Sequence, residues 1–168
     1  QTLKWVKSTT GPALIFQKSQ GTTIREAIAL NGPMHWPQIT QMIMQTADAT
    51  SHANKQGVLH LHLSPDVVFT NARNGVEIHG MGIPQFLTAD NMGQCEYLAP
   101  EQHKDPSVRS QRVDVFSFGL TLLFCLTGKL PWPKQATEKK IRDIKNSGIT
   151  PSTGIQDADK IIEKCLQA

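Results

Sequence analysis

The stretch of residues 113–132 constrains the fold more than any other part of this chain. Apolar side chains lie on nearly every side of a helix drawn through it: Val115, Phe116, Phe118, Leu120, Leu122, Leu123, Phe124 and Leu126. A helix that is apolar all round has to be enclosed by other elements. Asp114, Gly119 and Pro131 interrupt the stretch, so its continuous apolar length is too short to cross about 30 Å of hydrocarbon. The stretch therefore predicts a buried core helix and no membrane insertion.

Composition limits the classes of protein to which the chain can belong. Its 168 residues, of which 39% are hydrophobic, suffice for one sizeable core and are too few for two ordinary domains. The formal net charge is +3 and the charges are scattered, whereas binding to a phosphate backbone requires a basic stripe. We therefore expect no nucleic acid partner. The three cysteines, Cys95, Cys125 and Cys165, have no CxxC spacing, which favours a reducing cytoplasm over disulfides or a zinc site.

The remaining periodicity predicts short strands and several helices. Strands are predicted at residues 3–7 and 13–16, separated by a Gly11-Pro12 turn, and a hairpin at residues 67–70 and 76–79 around Asn74-Gly75. Helices are predicted from a capping box at Thr23 and Glu26 to residue 31, and at residues 37–57, 137–146 and 157–167, with Asp157 as the last N-cap. Residues 80–112 are predicted to be irregular and functional or derived from a functional segment.

Four segments follow one another at the spacing of protein-kinase motifs. They are residues 57–67 (GVLHLHLSPDV), 76–82 (VEIHGMG), 97–101 (YLAPE) and 114–119 (DVFSFG). In this order, after a long predicted helix and before Gly-Lys-Leu-Pro-Trp, they resemble the C-lobe of a bacterial-type Ser/Thr protein kinase. The resemblance implies a mainly α (α+β) fold with a small β-hairpin. It also implies that residues 1–20 are a remnant of N-lobe strands and hinge, and that residues 21–168 are a single kinase-like C-lobe.

The sequence departs from the kinase pattern at the positions that carry the chemistry. A kinase catalytic loop reads His-Arg-Asp-Leu-Lys-Pro-x-Asn, and residues 60–67 here read HLHLSPDV. By this resemblance His62 replaces the base, Ser64 the phosphate-facing Lys and Val67 the metal-binding Asn. Gly80 replaces the Asp of Asp-Phe-Gly, which is the other magnesium ligand. The resemblance therefore implies no catalytic residue, no metal and no cofactor, as in a pseudokinase that serves as a protein-interaction and regulatory scaffold.

The same resemblance implies structural roles for residues of the motifs that are kept. These residues are His60, Ala99, Pro100, Glu101, Asp114 and Gly119. Asp114 is expected to accept hydrogen bonds from the backbone of residues near His60. Glu101 is expected to pair with Arg109, with Arg112 or with an arginine outside this sequence, because a buried unpaired carboxylate is destabilising. Asp66 is predicted to be a solvated loop residue.

Two other functions remain open from the sequence. One is a nucleotide-binding sensor or weakly active kinase remnant, in which an upstream N-lobe supplies a lysine and a phosphate-binding loop. The other is a C-lobe-only peptide-binding module that resembles the kinase non-catalytic C-lobe domain. A three-histidine metal site at His60, His62 and His79 is disfavoured because no Cys or carboxylate completes a tetrahedral set.

A contact surface is predicted at the face that an N-lobe would cover. Its apolar residues are Leu14, Ile15, Phe16, Leu61 and Met81. Contiguous exposed apolar surface is typical of partner sites. We therefore expect a protein partner or a second copy of this chain to bind there.

Overall fold

The computed structural model describes residues 4–8, 11–15, 18–19, 21–71, 75–82 and 95–167. The elements in chain order are β1 (Lys4–Ser8), β2 (Gly11–Ile15), β3 (Thr22–Thr23), α1 (Ile24–Asn31), α2 (Trp36–Lys55), β4 (Val68–Thr70), β5 (Val76–Ile78), α3 (Pro100–Lys104), α4 (Gln111–Thr127), α5 (Glu138–Ser147) and α6 (Gln156–Leu166). A 3₁₀ turn, Cys95–Tyr97, precedes α3, so the prediction that residues 80–112 are irregular is wrong at these two elements, and residues 83–94 lie outside the described residues. This is the mainly helical fold with a few short strands that the sequence predicts.

The strands form two small antiparallel sheets. In the first sheet β1 pairs with β2, and Lys4 lies opposite Ile15. In the second sheet the order is β3-β4-β5, and Val68 lies opposite Ile78. The expectation that Pro12 belongs to a turn is wrong, since it lies within β2 opposite Lys7. A proline, which has no N–H, is tolerated there because each strand of a two-stranded sheet has a free edge.

Helix α4 is enclosed, as its apolar sequence predicts. Ten of its 17 residues are buried, and α2 and α6 pack against it. Ser110 caps its N-terminus, and Gly128 ends it in the left-handed conformation with a hydrogen bond from its N–H to the Phe124 carbonyl oxygen. In the described part of the chain, no helix is both long enough and apolar enough to span a bilayer.

Of the two predicted N-terminal caps, one is confirmed and the other is wrong. Thr23 and Glu26 form the predicted capping box of α1, and Thr137 caps α5. The prediction that Asp157 caps α6 is wrong, because the N-cap position is Ile155. A different carboxylate, that of Asp159, holds the turn before α6 by accepting hydrogen bonds from the backbone N–H and the hydroxyl of Thr153 (2.8 and 2.7 Å).

Candidate functional site

The candidate site is the loop of residues 58–67, which joins α2 to β4 and lies on the N-terminal part of α4. Asp114 of α4 is 3% exposed, and its two carboxylate oxygens accept the backbone N–H groups of His60 (2.9 Å) and Leu61 (2.5 Å). Burial raises the pKa of Asp114, while these two donors oppose the rise by favouring the charged form. A carboxylate buried in the core therefore fixes the backbone of the loop.

Leu61 adopts a backbone conformation that few non-glycine residues adopt, with φ at +62°. Its carbonyl oxygen accepts a hydrogen bond from Nε2 of Gln102 (2.9 Å), whose Oε1 in turn accepts the N–H of Ala99 (2.9 Å). The Leu61 side chain is 1% exposed and packs with Tyr97. Placing Leu61 on a contact surface is therefore wrong, because this backbone turns its side chain into the core.

The other residues of the predicted contact surface differ in exposure. Ile15 is 52% exposed, and Met81 is partly buried. Phe16 and the side chain of Leu14 lie outside the described residues. A continuous apolar patch on the face that an N-lobe would cover therefore stays a prediction, and Ile15 is the member of it that the structure shows to be exposed.

His60 links the loop to the end of β5. The N–H of His62 donates to Nδ1 of His60 (3.3 Å), so the ring proton of His60 lies on Nε2 and is donated to the carbonyl oxygen of His79 (2.9 Å). Burial lowers the pKa of His60, which agrees with a neutral ring. Both ring nitrogens of His60 are engaged, which leaves no lone pair for a metal ion.

Gly80 follows His79 at the edge of the site. Its φ is +85°, a conformation that residues with a side chain rarely adopt. A Cβ built at Gly80 would lie 3.9 Å from Cε1 and Nε2 of His60. A carboxylate at this position would therefore require a strained backbone beside a buried imidazole.

His62, which the resemblance places at the position of the kinase base, is partly buried. Its Nδ1 is enclosed and has no hydrogen-bond partner among the described residues. Burial lowers the pKa of His62, and the neighbouring His60 lowers it further, while Asp66 opposes these effects. Among the residues that the structure describes, no three of His, Cys, Asp and Glu come close enough to hold a metal ion.

The prediction that Asp66 is a solvated loop residue is wrong. Its carboxylate accepts two hydrogen bonds from the guanidinium of Arg25, at 2.7 and 3.0 Å, and is only 36% exposed. Arg25 also donates its backbone N–H to the carbonyl oxygen of Pro65 (3.2 Å), so the start of α1 is attached to the loop twice. The neighbouring Val67 packs against the apolar core, and Ser64 is 4% exposed.

The expected partner of Glu101 is not found in the described part of the chain. Glu101 is partly buried and forms no ion pair there with Arg109 or Arg112. The guanidinium of Arg109 instead donates to the carbonyl oxygens of Pro106 (2.9 Å) and Val108 (3.1 Å). The predicted pairing with Arg109 or Arg112 is therefore wrong, and pairing with an arginine outside this sequence stays a prediction.

A buried lysine lies next to the motif at residues 97–101 and was not predicted from the sequence. Lys145 of α5 is 4% exposed, and its Nζ donates to the carbonyl oxygen of Leu98 (2.7 Å) and to Nε2 of His103 (3.2 Å). It also lies 5.1 Å from the centre of the Trp132 ring. The only hint in the sequence is the spacing of four from Ile141, which places Lys145 on the buried face of α5.

The contact with Lys145 makes His103 a source of pH dependence. An ammonium group only donates, so His103 accepts through Nε2 and is neutral. Burial, followed by the charges of Lys145 and Arg142, lowers its pKa from 6.5 to about 4. Unfolded chains therefore bind a proton at His103 between these pH values, whereas folded chains do not.

We expect the free energy of unfolding to decrease as the pH falls from 6.5 towards 4, in part because of His103. Since His103 is partly exposed, we assign it about 1–2 kcal/mol of this decrease. Urea unfolding at several pH values should show a shallower decrease for His103→Gln, which keeps an acceptor but does not titrate. Parallel pH profiles of the two proteins would contradict this assignment.

Comparisons with known proteins agree on one family. The family model of the protein kinase domain matches residues 1–168. The serine/threonine-protein kinase PknB of Mycobacterium leprae is 27% identical over 168 residues, covering 92% of this chain and 27% of that protein. The serine/threonine-protein kinase PrkC of Bacillus subtilis is 24% identical over 126 residues, covering 71% of this chain and 19% of that protein. The chain thus spans about a fifth to a quarter of the length of these relatives.

The fold is also similar to that of a solved structure. The crystal structure of Rad53 1-466 in complex with AMP-PNP superposes with a TM-score of 0.80 at 21% identity. The match covers 98% of this chain and 44% of that chain. At this identity the likeness concerns the fold alone.

Proposed function

The chain belongs to the protein kinase family, and from that premise we propose that it is a catalytically inactive member, a pseudokinase, that acts as a protein-interaction and regulatory module. The proposal is carried by the side chains of the candidate site. His62, Ser64, Val67 and Gly80 occupy the positions at which the kinase motifs have the base, the lysine and the two magnesium ligands.

Kinase chemistry implies magnesium and ATP, and the residues present do not fit the metal. Magnesium in proteins is held by carboxylates together with water and phosphate oxygens. Val67 offers no donor atom and packs on the core, and Gly80 has no side chain. The carboxylate of Asp66 is held by Arg25 in a two-bond ion pair. The described part of the site therefore offers no free carboxylate to a nucleotide-bound metal.

His62 does not restore the lost chemistry. A positioned general base contributes about 10²–10⁴-fold to a rate, whereas phosphoryl transfer depends chiefly on positioning and on charge stabilisation by metals. The neutral imidazole of His62 would supply only the first of these contributions. The replacements therefore remove the base, the lysine and both magnesium ligands together. A single substitute base does not offset the loss of the other three groups.

The ordered backbone around the replaced catalytic positions supports a binding role. Asp114 and Gln102 still hold the backbone of the loop from two sides. Leu61 and Gly80 have positive φ angles of +62° and +85°, and hydrogen bonds to Asp114 and Gln102 hold the backbone of Leu61. An ordered loop without catalytic side chains suits recognition of another protein, for which only shape and surface are required.

The proposal predicts no phosphoryl transfer. The chain, and any longer natural protein that contains it, would be incubated with labelled ATP, magnesium or manganese, and generic basic protein substrates, with an active Ser/Thr kinase as the positive control. Label incorporation should equal that of a reaction without the protein. His62→Ala and the matched variant His52→Ala, in which an exposed histidine of α2 is replaced, should give the same result. Transfer that is lost in His62→Ala and kept in His52→Ala would overturn the proposal.

A further inference from the structure

Hydrogen bonds connect the ammonium group of Lys145 with the backbone of Leu61 in the candidate site. Nζ of Lys145 donates to the carbonyl oxygen of Leu98 at 2.7 Å. The N–H of the same peptide group belongs to Ala99 and donates to Oε1 of Gln102 at 2.9 Å. Nε2 of Gln102 then donates to the carbonyl oxygen of Leu61, also at 2.9 Å. We call these three hydrogen bonds the Lys145–Leu61 relay.

The Lys145–Leu61 relay lies inside the protein. All five of its residues are buried, so a hydrogen bond that breaks there is not simply replaced by one to bulk water. The first bond has a charged donor, which makes it stronger than a bond between neutral groups. Hydrogen bonds in a chain also polarise one another. Loss of the Lys145 donor therefore weakens the hold of Gln102 on Leu61.

His103 of α3 is the second partner of the Lys145 ammonium group, which lies 3.2 Å from Nε2 of its ring. An ammonium group only donates hydrogen bonds, so this contact requires a lone pair on Nε2 and a neutral ring. A proton on Nε2 would remove the lone pair and place two cations side by side in a partly buried site, where like charges repel strongly. The contact and the protonated ring therefore exclude each other.

The charges that surround His103 do not compensate for a second cation. Burial, followed by the charges of Lys145 and Arg142 on α5, lowers the pKa of His103 to about 4. The charged neighbours on α3 itself are Glu101 and Lys104. In the described part of the chain, no carboxylate forms an ion pair with His103. Protonation of His103 therefore favours departure of Lys145, whose side chain is the more flexible of the two.

Lys145 is placed so that its side chain leaves the core without unfolding of α5. It belongs to the last turn of this helix, which ends at Ser147. The residues that follow it, Asn146, Ser147 and Gly148, are exposed. Rotation about the bonds of the flexible four-carbon stem therefore suffices to bring the ammonium group to solvent. Two arrangements of Lys145 result, one engaged in the relay and one released from it.

We propose that protonation of His103 is a switch that releases Lys145 from the relay and thereby loosens the loop at Leu61. In the engaged state the ring of His103 is neutral and Lys145 holds the carbonyl oxygen of Leu98. In the released state solvent has supplied a proton to Nε2 of His103, Lys145 points outward, and the Leu98 carbonyl oxygen has lost its charged donor. Acid therefore changes the shape of the candidate site. Only the further consequence, that a protein partner would sense this change, rests on the proposed function.

Amide hydrogen exchange of the chain at pH 6.5 and 4.5, followed by NMR and corrected for the intrinsic exchange rate at each pH, tests the switch. The Ala99 and Leu61 amides report on the relay, and the Leu120 amide in the core of α4 reports on global unfolding. We expect the protection of the two relay amides to fall about tenfold more than that of Leu120, because the released state gains population as His103 is protonated. Parallel loss at all three amides would overturn the proposal, since it would show loss of global stability alone.

A variant separates His103 from the other groups that titrate in the loop, His60 and Asp114. His103→Gln keeps an acceptor for Lys145 but binds no proton, so the additional loss of protection at Ala99 and Leu61 should be absent. The matched control is His52→Gln, which replaces an exposed histidine of α2 and should retain the additional loss in full. Equal losses in His103→Gln and in the parent chain would assign the effect to the loop itself and overturn the proposal.

A second measurement on the parent chain needs no substitution. NMR titration of the histidine rings gives the midpoint for His103, and the loss of protection at Leu61 should have the same midpoint. Different midpoints would contradict the switch. These results are independent of the proposed function, since phosphoryl transfer by the chain would contradict inactivity and leave the exchange at Leu61 unchanged.

Discussion

Replacing Asp114 with alanine is expected to lower the free energy of unfolding by about 2–5 kcal/mol, the sum for two buried N–H groups that each lose their acceptor. These donors are the backbone N–H groups of His60 and Leu61. Both residues are 1% exposed, so their N–H groups are shielded from bulk solvent in the folded chain. The left-handed backbone of Leu61 also loses part of its support, so we expect the loop to rearrange as well as the fold to weaken.

Urea unfolding of three variants tests this role of Asp114. Asp114→Asn keeps one oxygen acceptor but turns an amide donor toward the second N–H, so its effect should approach that of Asp114→Ala. The control is Asp66→Ala, which breaks a partly exposed ion pair and should lower stability by about 0.2–1 kcal/mol. If Asp114→Ala were no more destabilising than Asp66→Ala, Asp114 would not be what holds the loop.

The helical core was predictable from the sequence because local patterns determine it. The all-round apolar character of α4 requires enclosure wherever the other elements lie, and the structure encloses it. The Thr23–Glu26 capping box fixes the start of α1 within a single turn. Features of this kind depend on residues a few positions apart, and such spacing is visible without tertiary information.

The candidate site was less predictable because its contacts join distant residues. Asp66 and Arg25 are 41 positions apart, and Lys145 lies 47 positions from the Leu98 carbonyl that it reaches. Leu61 was expected to be exposed because nothing in its neighbours reveals a positive φ, which reverses the direction of its side chain. The resemblance to kinase motifs did imply the hydrogen bonds of Asp114, since it carried information on tertiary contacts that periodicity lacks.

Replacing Gly119 with valine is expected to lower the free energy of unfolding by about 3 kcal/mol through overpacking between two helices. Gly119 lies in the middle of α4, where α6 crosses it. A Cβ at this position would lie 2.7 Å from Cβ of Cys165 and 3.3 Å from Cδ2 of Leu166. The close approach of the α4 backbone to α6 therefore requires a residue without a side chain, and the branched valine would push α6 away.

The sign of the change in the free energy of unfolding caused by Gly119→Ala tests whether α6 packs closely against α4 at this position. Within a helix, alanine in place of glycine stabilises by roughly 0.5–1 kcal/mol when space is available. We expect the opposite sign here, because the neighbouring atom is the Cβ of Cys165, which rotation of a side chain does not move. A double-mutant cycle with Cys165→Gly isolates this contact, and the second substitution should be less destabilising in the Gly119→Ala background than in the parent chain. Stabilisation by Gly119→Ala, or strictly additive effects in the cycle, would show that α6 does not pack on α4 at this point.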